Sequence, residues 1–130
     1  MIKSRRKRKS AGVLLICKNT GNFLLLERSK ISFFPRSWSV VAGAMEEGET
    51  SLETIKRELK EETQIDSTDI QYTFFETQYD FKPFDLYLGY CEEEYECKLD
   101  RENDNYGWFN MNNLPKPLFP TLYSSLVRIF

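Results

Sequence analysis

The sequence predicts a single α/β domain, and three observations carry that expectation. Two apolar runs of strand length, Ala11 to Cys17 and Phe23 to Glu27, flank the turn-like Lys18-Asn19-Thr20-Gly21-Asn22. A segment from Ser51 to Thr63 carries Leu52, Ile55 and Leu59 at three- and four-residue spacing, the stripe of an amphipathic helix. Aromatic-rich runs follow, before a closing segment whose Leu122, Leu126 and Ile129 again repeat at helical spacing.

The first ten residues differ from the rest. Lys3, Arg5, Arg6, Lys7, Arg8 and Lys9 carry six of the eighteen basic residues, which leaves twelve basic against twenty acidic side chains beyond them. Residues 1–10 read as a flexible basic arm, either a solubilising tail or an electrostatic handle for RNA, DNA or a polyphosphate. No aromatic residue is interleaved in it, so it offers no base stacking. Residues 11–130 read as the domain, long enough to bury a core. Its acidic balance suits a polyanionic substrate only where metal ions mediate the contact.

Ala11 to Cys17 and Phe23 to Glu27 predict a hairpin, with Arg28 at its end. The apolar start follows a basic run as in a signal peptide, but it is short and leads into Lys18-Asn19 without a small-residue cleavage site. No segment approaches the ~20 apolar residues of a membrane helix, and the chain reads as soluble and cytoplasmic. Three cysteines without zinc-ligand spacing and no histidine disfavour a disulfide framework, a zinc finger and Cys–His catalysis, and exclude a Ser–His–Asp triad.

Ser39 to Val41 is expected to form a strand leading into a turn at Ala42-Gly43-Ala44, with Trp38 as a core or loop anchor. Thr50 and Glu53 have capping-box spacing at the start of the helix. Along it, Glu58, Glu61 and Glu62 fan over an arc of roughly 100°. Like charges so close destabilise a helix, and Arg57, within reach of Glu53 and Glu61, cannot neutralise them all. Either the face is simply solvated, or a hard divalent cation with oxygen ligands, Mg²⁺ or Mn²⁺, compensates it.

Ile70 to Phe81 and Phe84 to Cys91 predict two strands broken at Lys82-Pro83. Tyr79, Phe81, Phe84 and Tyr87 in them are core residues or a stacking surface for a base. Glu92 to Glu96 reads as a solvated acidic edge, and Asp100 to Asn105 as a turn before Tyr106-Gly107-Trp108-Phe109. Thr121 is a candidate cap for the final helix.

The segment Gly43 to Ile65 resembles the Nudix box, G-x5-E-x7-R-E-U-x-E-E-x-G-U with U aliphatic. Gly43, Glu49, Arg57, Glu58, Leu59, Glu61, Glu62 and Ile65 fall on pattern, eight of nine fixed positions over twenty-three residues. The one departure is Gln64 in place of the last glycine, at the helix exit, where a left-handed residue costs ~1 kcal/mol. The order of strand, Arg28, loop, Trp38, strand before the box, and Glu102, Tyr106, Trp108, Leu114-Pro115 after it, extends the resemblance over nearly the whole chain from Ala11.

The resemblance implies an α/β/α sandwich with a mixed sheet between helices. It implies hydrolysis of the pyrophosphate in a nucleoside diphosphate linked to another group, by water attack assisted by Mg²⁺ or Mn²⁺. On that basis Glu58 and Glu62 are the principal metal ligands, with Glu61 as an additional ligand and the Gly43 carbonyl as another. Arg57 and Glu49 form an ion pair that orients the glutamates. Arg28 is a candidate phosphate contact, or else a surface arginine. Glu58 and Glu102 are both eligible as general base, with Asp100 and Asp104 as rivals of Glu102. Nucleoside triphosphates, ADP-ribose, dinucleoside polyphosphates, nucleotide sugars and RNA 5′ ends all stay open as substrates. The alternatives are a non-catalytic nucleotide or RNA binding module, and an RNA 5′-end hydrolase that uses the basic arm. Oligomeric state is open, a homodimer included.

Overall fold

A computed structural model describes residues 8–66 and 68–130. Seven strands and two helices run in the order β1 (Ser10–Cys17), β2 (Phe23–Arg28), β3 (Trp38–Ser39), β4 (Val41–Ala44), α1 (Ser51–Thr63), β5 (Gln71–Gln78), β6 (Phe84–Cys91), β7 (Asn103–Phe109) and α2 (Leu122–Ile129). One mixed sheet has the strand path β3-β2-β1-β6-β5, with β4 beside β1 and β7 beside β2. Among the strands of the described residues, β1 and β6 pair in parallel, in register from Ser10↔Phe84 to Cys17↔Cys91, and the other strand pairs are antiparallel.

Every residue of β1 is buried, because the strand is covered on both faces. Its Ala11, Val13, Leu15 and Cys17 join Ile55 and Leu59 of α1 in one core, while Leu14 and Ile16 join Leu122 and Leu126 of α2 in another. Strand alternation therefore sends successive side chains to opposite helices. The result is the expected α/β/α sandwich.

The helix bounds predicted for α1 are those observed, and its capping box is complete, with Thr50 and Glu53 each bonding the other's backbone. Gln64 takes the left-handed conformation at the exit (φ 64°, ψ 16°) and donates its N–H to Lys60 O at 3.0 Å. Gln64 thus adopts at the helix exit the left-handed conformation that a glycine there would favour.

Several expectations are corrected. The strand predicted over Ser39–Val41 is divided at Val40 into β3 and β4. Ala42-Gly43-Ala44 is strand and not turn, since Gly43 pairs with Ala11 across β1. The turn comes later, at Gly48 with φ +85°. Thr121 makes no side-chain cap on α2, because its backbone is already helical (φ −98°, ψ −3°). The strand predicted over Ile70–Phe81 is shorter, Gln71–Gln78, and a bend around Lys82-Pro83 separates it from β6.

Of the basic segment, residues 1–7 lie outside the described residues. Arg8 donates to Met45 O, Lys9 pairs with Asp85 at 2.9 Å, and Ser10 opens β1. All three cysteines are free thiols, and among the described residues no helix is long and apolar enough to cross a membrane.

Candidate active site

Arg57 organises the acidic side of α1. Its Nε donates to Glu49 Oε2 at 2.6 Å and its Nη2 to Glu49 Oε1 at 3.0 Å, a bidentate pair. Nη2 also reaches Ala44 O at 3.1 Å, and Nη1 reaches Glu58 Oε2 at 3.0 Å. One guanidinium thereby ties the end of β4, the turn before the helix and the helix itself. Glu49 is fixed from its other side by the Glu46 N–H at 2.9 Å and the Thr54 hydroxyl at 2.8 Å. The bond from Arg57 holds the Glu49 carboxyl down to about 2. Glu53, a predicted partner of Arg57, is occupied instead by the capping box.

The three box glutamates do not behave alike. Glu62 is buried, 4% exposed as a residue, and the Glu58 side chain is 13% exposed, while the Glu61 side chain is 54% exposed and meets Arg57 Nη1 at 3.3 Å. Burial pushes the Glu62 carboxyl well above the usual carboxylate range, helped by its bond to Glu58 and by the charges of Glu58, Asp100 and Glu102. Burial also raises Glu58, with the bonds from Glu62 and Arg57 working against it. Among the described residues no three acidic side chains converge as a cation cluster, since Glu61 turns to Arg57.

Gly43 closes the other side. A β-carbon there would overlap the Glu58 carboxylate, so only glycine lets the β4 backbone and this side chain meet. One buried carboxyl and one partly buried carboxyl, both of raised pKa, beside a bare backbone make an oxygen-rich recess, and such a donor set fits a hard divalent cation.

Glu62 lines a cavity of about 670 Å³ that also holds Gly43, Arg28 and Glu102. Four of the predicted site residues are thus brought together, from β4, α1, the end of β2 and the residue before β7. Arg28 is half-buried, which works against its charge while the fields of Glu62 and Glu102 support it. Its guanidinium lies 5.4 Å from the centroid of the Phe119 ring. Glu102 is exposed at the cavity edge, its carbonyl accepting from Ser29 N at 2.9 Å and Ser32 Oγ at 2.9 Å. Asp100 lies near, accepting from Asn103 Nδ2 at 3.4 Å, whereas Asp104 is not part of the lining.

Sequence reasoning missed two groups of residues. Asn103 is buried and donates to Glu62 Oε1 at 3.2 Å, steadying that carboxyl; only its position next to Glu102 pointed to it. Phe33 and Phe119 line the cavity from loops whose sequences carry no periodicity to flag them. Of the aromatic residues considered for a stacking surface, Phe81 and Phe84 line the cavity, while Tyr87 packs with the α1 core and Tyr79 is exposed. Trp38 is an anchor, edge-on to Phe109 at 5.3 Å.

Comparison with known proteins bears on the family and the fold. A family model described as NUDIX domain matches residues 6–128. The chain is 33% identical over 106 residues to the NAD-capped RNA hydrolase NudC of Pseudomonas fluorescens (strain Pf0-1), a match that covers 78% of this chain but 37% of that protein. It therefore spans well under half the length of that curated relative. Among solved structures, the C. elegans Ap4A hydrolase in a binary complex superposes with TM-score 0.74 at 23% identity, covering 92% of this chain and 94% of that one. A MutT NUDIX hydrolase from Burkholderia pseudomallei superposes with TM-score 0.75 at 18% identity, covering 97% and 100%. At these identities the two structures speak for the fold. The chain belongs to the Nudix hydrolase family.

Proposed function

We propose that this chain hydrolyses the pyrophosphate bond of a nucleoside diphosphate linked to a second group. The observation that carries the reading is the recess at the cavity wall, where Gly43 admits the Glu58 carboxylate and Glu58 meets buried Glu62. The cavity is lined by Arg28 and Lys82 against Glu62, Asp80 and Glu102, so its own basic groups do not suffice to hold a diphosphate.

The Glu58 and Glu62 carboxylates and the Gly43 carbonyl would hold Mg²⁺ or Mn²⁺, with Glu61 as an added oxygen donor. When bound, such an ion neutralises phosphate charge and lowers the pKa of water. The chain's own residues do the rest. Arg57, paired with Glu49, keeps Glu58 in place, and Asn103 steadies Glu62. Arg28 contacts a phosphate oxygen of the substrate. Glu102 takes the proton of the attacking water; it lines the cavity and forms no ion pair among the described residues, unlike Glu58, which is tied to Arg57.

The test is a panel of nucleoside triphosphates, ADP-ribose, dinucleoside polyphosphates and nucleotide sugars, incubated with Mg²⁺ or Mn²⁺ and resolved by chromatography. Cleavage that stops with EDTA and in Glu62→Gln is expected. A panel that is bound but left intact would instead identify a binding module. A second reading, an RNA 5′ end as substrate, is favoured by the relative named NAD-capped RNA hydrolase and by the basic residues 3–9. It requires salt-dependent RNA binding that disappears when residues 1–7 are deleted.

A further inference from the structure

Outside the cavity, the sheet carries a strip of aromatic residues on the face that α1 covers in part. β5 ends the strand path β3-β2-β1-β6-β5, and its Phe74 stands directly opposite Tyr87 of β6. The two rings meet at 5.5 Å and 76°. Strand alternation puts Tyr72 on the same side, where it packs with the α1 core and carries Lys56 of α1 5.6 Å from its ring centroid. Past the irregularity between Phe74 and Glu76, Thr77 returns to this side and donates to Asp85. Phe74 is 50% exposed, and Tyr79, just beyond the end of β5, is 75% exposed. Neither of them lines the cavity, nor does Tyr87.

The basic start of the chain is fastened beside these rings. Lys9 pairs at 2.9 Å with Asp85, which lies two residues before Tyr87 on the same side of β6. Its ammonium, bonded to Asp85, also lies in the field of the Tyr79 and Tyr87 hydroxyls. Asp85 accepts from Ser51 Oγ and Thr77 Oγ1 as well, so the anchor is tied to α1 and to β5. In sequence, Lys3, Arg5, Arg6, Lys7 and Arg8 run directly into that anchor, whereas the chain beyond residue 10 is acidic overall. Exposed rings beside cations suit a polyanion that also presents flat apolar groups, as a nucleic acid with unpaired bases does. A duplex hides its base faces. The basic arm has no ring of its own, and the strip supplies what it lacks. A second copy of this chain fits the strip poorly, because docking two such faces would set like charges against each other.

We infer that Phe74, Tyr79 and Tyr87, with Lys56 and the arm rooted at Lys9, form a docking surface for a single-stranded polynucleotide outside the catalytic cavity. Bases stack on the exposed rings, and Lys56 and the arm hold the phosphates. The residues that follow Tyr79, namely Asp80, Phe81 and Lys82, line the cavity. A strand lying along β5 therefore leads from the rings toward the recess at Glu62. That last step rests on the hydrolase reading; the docking of the strand does not.

The test measures binding of a short fluorescent oligoadenylate RNA, and of its duplex with oligouridylate, to the full chain in EDTA. Phe74→Ala and Tyr79→Ala are each expected to weaken the single strand about tenfold, with Phe74→Trp and Tyr79→Phe close to the parent. Rescue by another flat ring is an outcome that a purely structural role would not give. Lys56→Gln should lower the slope of log affinity against log salt by about one. Glu62→Gln should bind the RNA as the parent does, and oligodeoxyadenylate tells whether the surface takes one sugar or both. Because both rings are exposed, the alanine variants should melt with the parent chain. The surface is overturned by unchanged affinity in both alanine variants, by equal affinity for the duplex, or by a loss in Glu62→Gln as large as theirs. A dimer in sedimentation that Phe74→Ala dissociates would give the strip to a second copy and overturn it too. Ring-dependent RNA binding without turnover of any nucleotide would sink the hydrolase reading and leave the surface standing.

Discussion

A β-carbon on Gly43 would overlap Glu58 Oε2. The contact is inside any van der Waals distance, so a side chain at 43 must displace either the β4 backbone or the carboxylate. Gly43→Ala is expected to lower kcat about 100-fold, the scale of a roughly 1 Å misplacement at a reacting centre. The fold should survive, since Glu58 is at the edge of the recess and can swing away. Steady-state kinetics beside a thermal melt would check this; unaltered kcat would show that the close approach has no catalytic meaning.

Replacing Glu62 by glutamine separates charge from shape. In the metal-free protein the Glu62 carboxyl is raised well above its unfolded value of about 4.3, so the folded state binds a proton that the unfolded state has released. Stability from this group is therefore full below about pH 4.3 and declines as pH rises toward the folded pKa. Glu62→Gln should remove that decline, giving an EDTA-treated variant that melts higher than the parent at pH 8 while losing turnover. A variant that melts lower at pH 8 would argue that the buried charge is better compensated than its surroundings indicate.

Glu49 has the opposite sign. Arg57 holds it at about 2, below the unfolded value of about 4.3, so its contribution is present above the unfolded pKa and is lost as pH falls toward 2. Between those pH values, melting temperature should fall more steeply in the parent chain than in Glu49→Gln. Arg57→Lys keeps a charge but loses the fork that grips Glu49 and the reach to Glu58, and should cost about 10- to 100-fold in kcat. Combined with Glu49→Gln, the losses should fall well short of multiplying, because both changes break one pair. Independent, multiplicative losses would show that Arg57 acts elsewhere.

Asp85 anchors the start of the chain to the body. It is buried and accepts from Ser51 Oγ, from Thr77 Oγ1 at 2.7 Å and from Lys9 Nζ at 2.9 Å. Burial works to raise its carboxyl, but these bonds outweigh it and the net shift is downward. Asp85→Ala leaves those donors without their acceptor and should destabilise by about 2–4 kcal/mol, measured by urea unfolding. A loss under about 0.5 kcal/mol would place the network among ordinary surface contacts.

The box was legible because its chemistry is local. Glu58, Glu61 and Glu62 follow from helical spacing, the capping box from Thr50 and Glu53, and the strands from their apolar runs, all set by neighbours within a few residues. The same reasoning misread Gly43 as a turn residue, since pairing of Ala11 with Gly43 joins segments thirty-two positions apart. Helical spacing also gave Arg57 the partners Glu53 and Glu61, of which the fold keeps Glu61, while the Glu49 pair across the helix start was expected from the resemblance and not from spacing.

The amino-acid order alone therefore determined which carboxylates exist, on which helix, and the family to which the chain belongs. Tertiary structure decided which of them matter to one another: Glu62 buried against Glu58, Glu61 turned to Arg57, Glu102 brought to the rim by β7. It also assembled Phe33, Phe81 and Phe119 into one wall. The physical reason is that burial, and with it the effective dielectric and the pKa of each group, depends on contacts between distant segments, which no local pattern encodes.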